Sequence, residues 1–159
     1  MMNATIKALT EHLPQQGQLE WIGIRTRKRS PLTELQDVAV VKAGLRGDHY
    51  AGRSGNRSVT LIQYEHVLAF PALMHRDRVS YSDLRRNLVI SGINLLALKD
   101  REFQIGTAVL KMTGLCHPCA RMEQIFGEGA YNALRGHGGI NARVVEPGEI
   151  KLMDKLSVI

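Results

Sequence analysis

FQIGTAVLKMTGLCHPCARME, residues 103–123, decides the fold. Its first half reads as two β-prone runs, FQI and AVLKM, joined by a tight turn at Gly106 and Thr107. Its second half carries the only cysteines of the chain, Cys116 and Cys119, with His117 and Pro118 between them. Pro118 fits the first position of a helix running to about Phe126, with Gly127 just past its end. C-x-x-C at a helix start is also the dithiol arrangement of thioredoxin-like proteins, but that fold needs a βαβ core around the motif. The residues after Cys119 are rich in glycine and show no such alternation. The hairpin therefore governs the reading, and the expectation is a β-rich fold.

Working outward, TIKALTEH and LEWIGIRTR read as strands, as do DVAVV, VTLIQ and LVIS. YEHVLAFPALMHR reads as a helix that Pro71 must break or kink. SDLRRN reads as a short turn capped by Ser82, and EGAYNALRG as a second short helix. The last twenty residues read as strands around the Pro147-Gly148 turn. GLRGDHYAGRSGNRS, residues 44–58, has the glycine and charge content of a loop. Strands and helices do not alternate regularly, which disfavours a doubly wound parallel sheet. The expected fold is mainly β, of α+β type: a twisted, barrel-like domain with a few short helices, spanning 1–159 as one unit.

The chain has 159 residues, 44% of them hydrophobic and 23% charged, which suits a packed core and argues against disorder. No apolar run is long enough for a membrane span, and the N-terminus does not read as a signal peptide. The expected compartment is cytoplasmic, where neighbouring thiols stay reduced. Lys and Arg number 21 against 15 acidic residues, a net charge of +6 that favours anionic partners. Aromatics are only 5%, poor material for stacking bases, so nucleic acid is not the expected partner.

The residues alone leave several readings of the cysteine pair open. Disulfide exchange would use both thiols. Structural zinc would need scattered histidines, because His12, His49, His66, His75, His117 and His137 show no H-x-x-x-H spacing. A single thiolate near a helix start is a soft ligand or a sulfur carrier. Both cysteines also qualify as small packing residues.

Three blocks then carry a resemblance. GLRGDHYAGRSGNRSVTLIQYEHV resembles the glycine-rich G-L-x-G-D segment of MOSC domains, the module named from the C-terminal part of molybdenum cofactor sulfurases. LRRNLVISGINLLAL resembles the family's R-x-N segment, and FQIGTAVLKMTGLCHPCARME its I-G-x-A-x-L hairpin and following cysteine. Together they cover roughly residues 44–123, in order. GHGGIN, residues 136–141, is similar to its late glycine segment. The late G-D turn is replaced here by MDKL, residues 153–156.

The resemblance implies a barrel-like fold and a site for the molybdenum cofactor, a molybdopterin with a dithiolene-bound metal and a phosphate. It implies that Cys119 is the functional cysteine, as a molybdenum ligand or as the carrier of a persulfide, and that Arg85 and Asn87 match the family's arginine and asparagine. Sulfur delivered to Cys119 would then have to come from another protein, and the partners the resemblance implies are such a sulfur donor or a molybdoenzyme. Read residue by residue, Arg53, Arg57, Arg85 and Arg86 offer forked donors to phosphate or pterin oxygens. Asn87 has both donor and acceptor for a pterin edge, and Asp48 and His49 lie in a loop whose glycines permit close approach. The functional expectation is a cofactor-binding or sulfur-carrier domain, working in sulfur transfer or as a reductase component. Its rivals are a thiol–disulfide oxidoreductase using the C-H-P-C pair and a non-catalytic module for anions or nucleic acid.

Overall fold

The computed structural model describes residues 4–49 and 55–159. Arg53, one of the expected anion-binding residues, lies outside the described residues.

The strands run in the order β1 (Gly17–Arg25), β2 (Leu32–Leu35), β3 (Asp37–Val41), β4 (Gly44–Leu45), β5 (Val59–Gln63), β6 (Leu88–Ser91), β7 (Glu102–Ile105), β8 (Ala108–Leu115), β9 (Ile140–Glu146), β10 (Gly148–Lys151) and β11 (Lys155–Val158). The large sheet has the order β11-β7-β8-β9-β5-β6-β1-β2, and β11 pairs in turn with β1. That last pairing, Gly17 opposite Leu156 and Gln18 opposite Lys155, closes seven strands into a barrel and leaves β2 flanking β1. Closure removes the free edges that an open sheet would expose. Among the described residues only β5 and β6 pair in parallel. A smaller sheet, β10-β3-β4, lies beside the barrel.

β5 and β6 are buried at nearly every position because both of their faces are covered. Leu61, Leu88 and Ile90 join one core with Leu19, Phe103 and Leu110. Their neighbours Ile62 and Val89 point the other way, into a second core with Phe70, Leu84, Met122, Phe126 and Leu134. This second core seats the helices α2 (Tyr64–Leu73), α3 (Ala120–Phe126) and α4 (Ala130–Leu134) against the barrel. The hydrophobic runs of the sequence thus hold the element that follows the cysteine pair in a fixed place.

Several local expectations are corrected. TIKALTEH is not a strand: Ile6–Glu11 form a short helix, α1, whose start is capped by Thr5 accepting from the Ala8 N–H at 3.1 Å. The capping threonine wins over a weak alternation. Pro71 does not break α2 where it stands, because it falls in the last turn, and the helix ends at Leu73. Ser82 lies inside the 3-10 turn Ser82–Leu84 and makes no cap bond there. Pro147 does not join a hairpin: β9 stays in the barrel, while β10 turns away to pair with β3. Pro118 is not the first helical residue. Cys119 is extended at φ −131°, ψ 174° and forms the N-cap of α3.

Candidate functional site

The site grows from the end of β1. Arg25 is 8% exposed, and its guanidinium needs compensation there. Asp48 supplies it. The Arg25 backbone N–H and Nε donate to Oδ1 at 2.8 and 3.2 Å, and Nη2 donates to Oδ2 at 3.2 Å. This is the bidentate fork that suits guanidinium and carboxylate planes. The Asp48 carboxylate is fully enclosed, so it orients Arg25 and does not face the cleft. His49 follows in the same loop and holds its start to the barrel, its backbone N–H donating to the Arg25 carbonyl at 2.5 Å.

Asn87 completes the layer beneath. It is fully buried. Its Oδ1 accepts from Arg25 Nη2 at 3.2 Å and from the Thr60 N–H at 3.1 Å, and its Nδ2 donates to the Gly23 carbonyl at 3.0 Å. Asn87, expected at a pterin edge, has its polar atoms joined to β1, β5 and Arg25. Asp48 is likewise enclosed against Arg25.

Arg85 and Arg86 separate by backbone geometry. Arg85 takes a left-handed conformation, φ 61°, directly after the 3-10 turn. Its carbonyl accepts from Arg25 Nη1 at 3.2 Å, and its own Nη1 donates to the Ser30 carbonyl. Arg86 turns inward. Its Nε donates to the Gly138 carbonyl at 2.8 Å, Nη1 to Leu84 at 3.1 Å, and Nη2 to the carbonyls of His117 and Cys116 at 3.2 and 3.4 Å. One planar cation thus staples the cysteine loop to the glycine segment GHGGIN.

Those glycines are needed by contact. A Cβ on Gly138 would lie 2.1 Å from the Cys116 carbonyl oxygen, and one on Gly139 would lie 1.9 Å from the Leu61 carbonyl oxygen. The Cys116 N–H donates to the Gly139 carbonyl at 2.9 Å, and Asn141 Nδ2 donates to the Leu115 carbonyl at 3.0 Å. The cysteine loop is therefore held from both sides. Beyond it, Glu123 reaches forward from α3 and accepts from the N–H groups of Gly129 and Tyr131 at 2.6 and 2.8 Å. The bond from Tyr131, then that from Gly129, holds its carboxyl below the ordinary carboxylate range.

Cys119 is exposed, whereas Cys116 is half-buried, and both are free thiols. Cys119 lines a cleft of about 450 Å³ with Arg25, Arg57, Arg85, Arg86, Thr60, Asn141, Cys116 and His117. A second concavity of about 470 Å³ shares Arg25, Arg85, Arg86 and Cys119 and adds Lys28, Arg29 and Arg121. Among the described residues neither lining contains a carboxylate. The two together form a cationic groove with the thiol between them. Among the described residues no group of three or more His, Cys, Asp or Glu side chains converges to hold a metal ion.

The fold brings together Cys119, Arg57, Arg85 and Arg86 as expected from sequence. It places Asp48 and Asn87 in the supporting layer and His49 at the base of the loop. Arg25 and Asn141 were missed. The only trace of Arg25 in the sequence is a charged residue closing the apolar run WIGI, and Asn141 sits at the end of GHGGIN without a further signal.

A closed barrel carrying a cysteine loop over a cluster of arginines defines the class. The MOSC domain family profile matches residues 43–157, and the chain belongs to this family of molybdenum-cofactor-sulfurase-like domains. Solved structures share the fold. The YuaD protein from Bacillus subtilis aligns with a TM-score of 0.81 at 17% identity, covering 92% of this chain and 98% of that one. YiiM from Geobacillus stearothermophilus aligns with a TM-score of 0.74 at 17% identity, covering 90% and 75%. YiiM from Escherichia coli aligns with a TM-score of 0.69 at 16% identity, covering 89% and 69%. Among curated proteins none matches the sequence. No helix among the described residues is long and apolar enough to cross a membrane.

Proposed function

We propose that the cleft beside Cys119 binds the molybdenum cofactor, and that the Cys119 sulfur either ligates its metal or carries sulfur to it. The observation that supports this reading is an exposed thiol sharing one cleft with Arg25, Arg57, Arg85 and Arg86, with no carboxylate among the described lining residues. Such a lining suits a ligand with several anionic oxygens. When bound, the cofactor would supply a dithiolene-chelated metal, for which the exposed Cys119 thiol offers one soft ligand.

The chain's residues divide the work. Arg57 and Arg85 present donors to phosphate and pterin oxygens at the cleft wall. Arg25 adds its positive charge from a fixed position, because Asp48, Asn87 and the Arg85 carbonyl hold its guanidinium. Arg86 holds the backbone around Cys116 and His117, so that Cys119 faces the cleft. Sulfur delivery requires a donor protein bearing a persulfide: the Cys119 thiolate attacks the outer sulfur, a new S–S bond forms, and the donor departs as a thiolate. The same reading places the protein in the cytosol, where both thiols stay reduced.

The test is to purify the protein from a host replete in cofactor and measure molybdenum and pterin. Cys119→Ser is expected to lose both, and Cys116→Ser to keep both. Equal retention by the two variants overturns the assignment. Loss of activity in Cys116→Ser together with an intramolecular bridge would favour disulfide exchange instead.

A further inference from the structure

The cationic cleft borders a space of different chemistry. Leu115, which lines the cleft, also lines a second concavity of about 300 Å³ together with Leu96, Met112 and Gly114. Leu96 and Leu115 are each 47% exposed, so two large apolar side chains stand open to water in a concave wall. Gly114 creates part of the room. It lies at a register shift between β8 and β9, and a Cβ built there meets no atom of the described residues within 4 Å. Glycine inside a strand weakens the strand, and here it marks a place where another molecule can approach. Among the described residues the charged ones in this lining are Lys99 and Asp100, one of each sign, whereas the charged groups of the neighbouring cleft are arginines.

We infer that this concavity is a subsite for the apolar body of a small organic substrate whose polar end reaches past Leu115 toward Cys119. The inference rests on the cationic cleft being the reaction site proposed above. Its size is at the lower end of small-molecule pockets, about 300–1,000 Å³. A polyanion gains nothing from a lining that holds a carboxylate and three apolar side chains. An apolar body gains by leaving water there, and that binding also orients the polar end. Gly114, Leu96 and Leu115 then set which substrates fit.

Calorimetric titration with naphthalene-2-sulfonate, against methanesulfonate, tests this on the purified full chain. The naphthyl probe is expected to bind at least about tenfold more tightly, because its rings cover Leu96 and Leu115. Gly114→Leu fills the concavity and is expected to abolish that preference while leaving methanesulfonate affinity within about twofold. Leu96→Ser, which leaves the strands untouched, is expected to weaken the naphthyl probe alone. A missing preference in the wild type, or one that survives both substitutions, overturns the subsite. Either result stands apart from the cofactor assignment, which is read by molybdenum and pterin retention.

Discussion

Replacing Arg86 with methionine separates a clamp from a ligand-binding group. The structure gives Arg86 three hydrogen bonds of good length, to Gly138, Leu84 and His117 at 2.8, 3.1 and 3.2 Å, and a weaker one to Cys116 at 3.4 Å. Bonds from a charged donor each contribute about 1.5–3 kcal/mol. They do not add fully, because water from the cleft can reach the His117 and Cys116 carbonyls once the guanidinium is gone. Gly138 is buried, and its carbonyl would stay without that donor. Removing the cation also relieves the cost of burying it. The net expectation is a loss of about 3–5 kcal/mol. For a chain of this length that lowers Tm by roughly 6–20 °C. Thermal and urea unfolding followed by circular dichroism measure it. Arg86→Lys is expected to recover little, because an ammonium cannot serve carbonyls spread around a planar fork. A Tm within about 2 °C of wild type, accompanied by a tenfold loss of phosphate affinity, would refute the clamp and make Arg86 a ligand-binding group.

Two further outcomes follow from the same geometry. Asp48→Asn leaves the Arg25 guanidinium buried without its carboxylate, and a loss of about 3–5 kcal/mol is expected in urea unfolding; a loss below about 1 kcal/mol would show that water already compensates Arg25. Burial, then the neighbouring His137, holds the His66 imidazole below its ordinary pKa of 6.5, while Glu65 acts in the opposite direction. The unfolded chain therefore takes up a proton at His66 before the folded chain does. Stability is full above about pH 6.5 and falls as the pH drops from there toward the lower folded value. His66→Gln is expected to flatten the change of Tm between about pH 7.5 and 5.5; an unchanged slope would assign the effect to other groups.

The strand content was legible because burial on a sheet imposes local patterns. VTLIQ and LVIS are continuous apolar runs, and their strands are covered on both faces. EFQI and AVLKM flank a Gly-Thr turn and form the expected antiparallel pair. TIKALTEH was misread because its alternation is short, and one capping threonine was enough to favour the helix. β2 escaped notice because only Leu32 of its four residues is fully buried, so no run of apolar residues announces it. Asp48 and Asn87 were assigned to a ligand because their types suit one. Residue type does not show burial, and the structure encloses both side chains and bonds them to Arg25.

By itself the sequence determined that the chain is a β-rich domain with its cysteines at the head of a short helix, and the three ordered blocks pointed to its family. These are properties of neighbouring residues, written in periodicity and in the positions of glycine and proline. Only the tertiary structure decided which cations meet Cys119. Arg25 and Asp48 are joined across 23 positions, and Arg86 reaches Gly138 across 52. Arginine side chains are long and can point to either side of a strand. Their direction is set by partners distant in sequence, Asp48 and Asn87 for Arg25 and the carbonyls of Gly138 and His117 for Arg86, which no local pattern encodes.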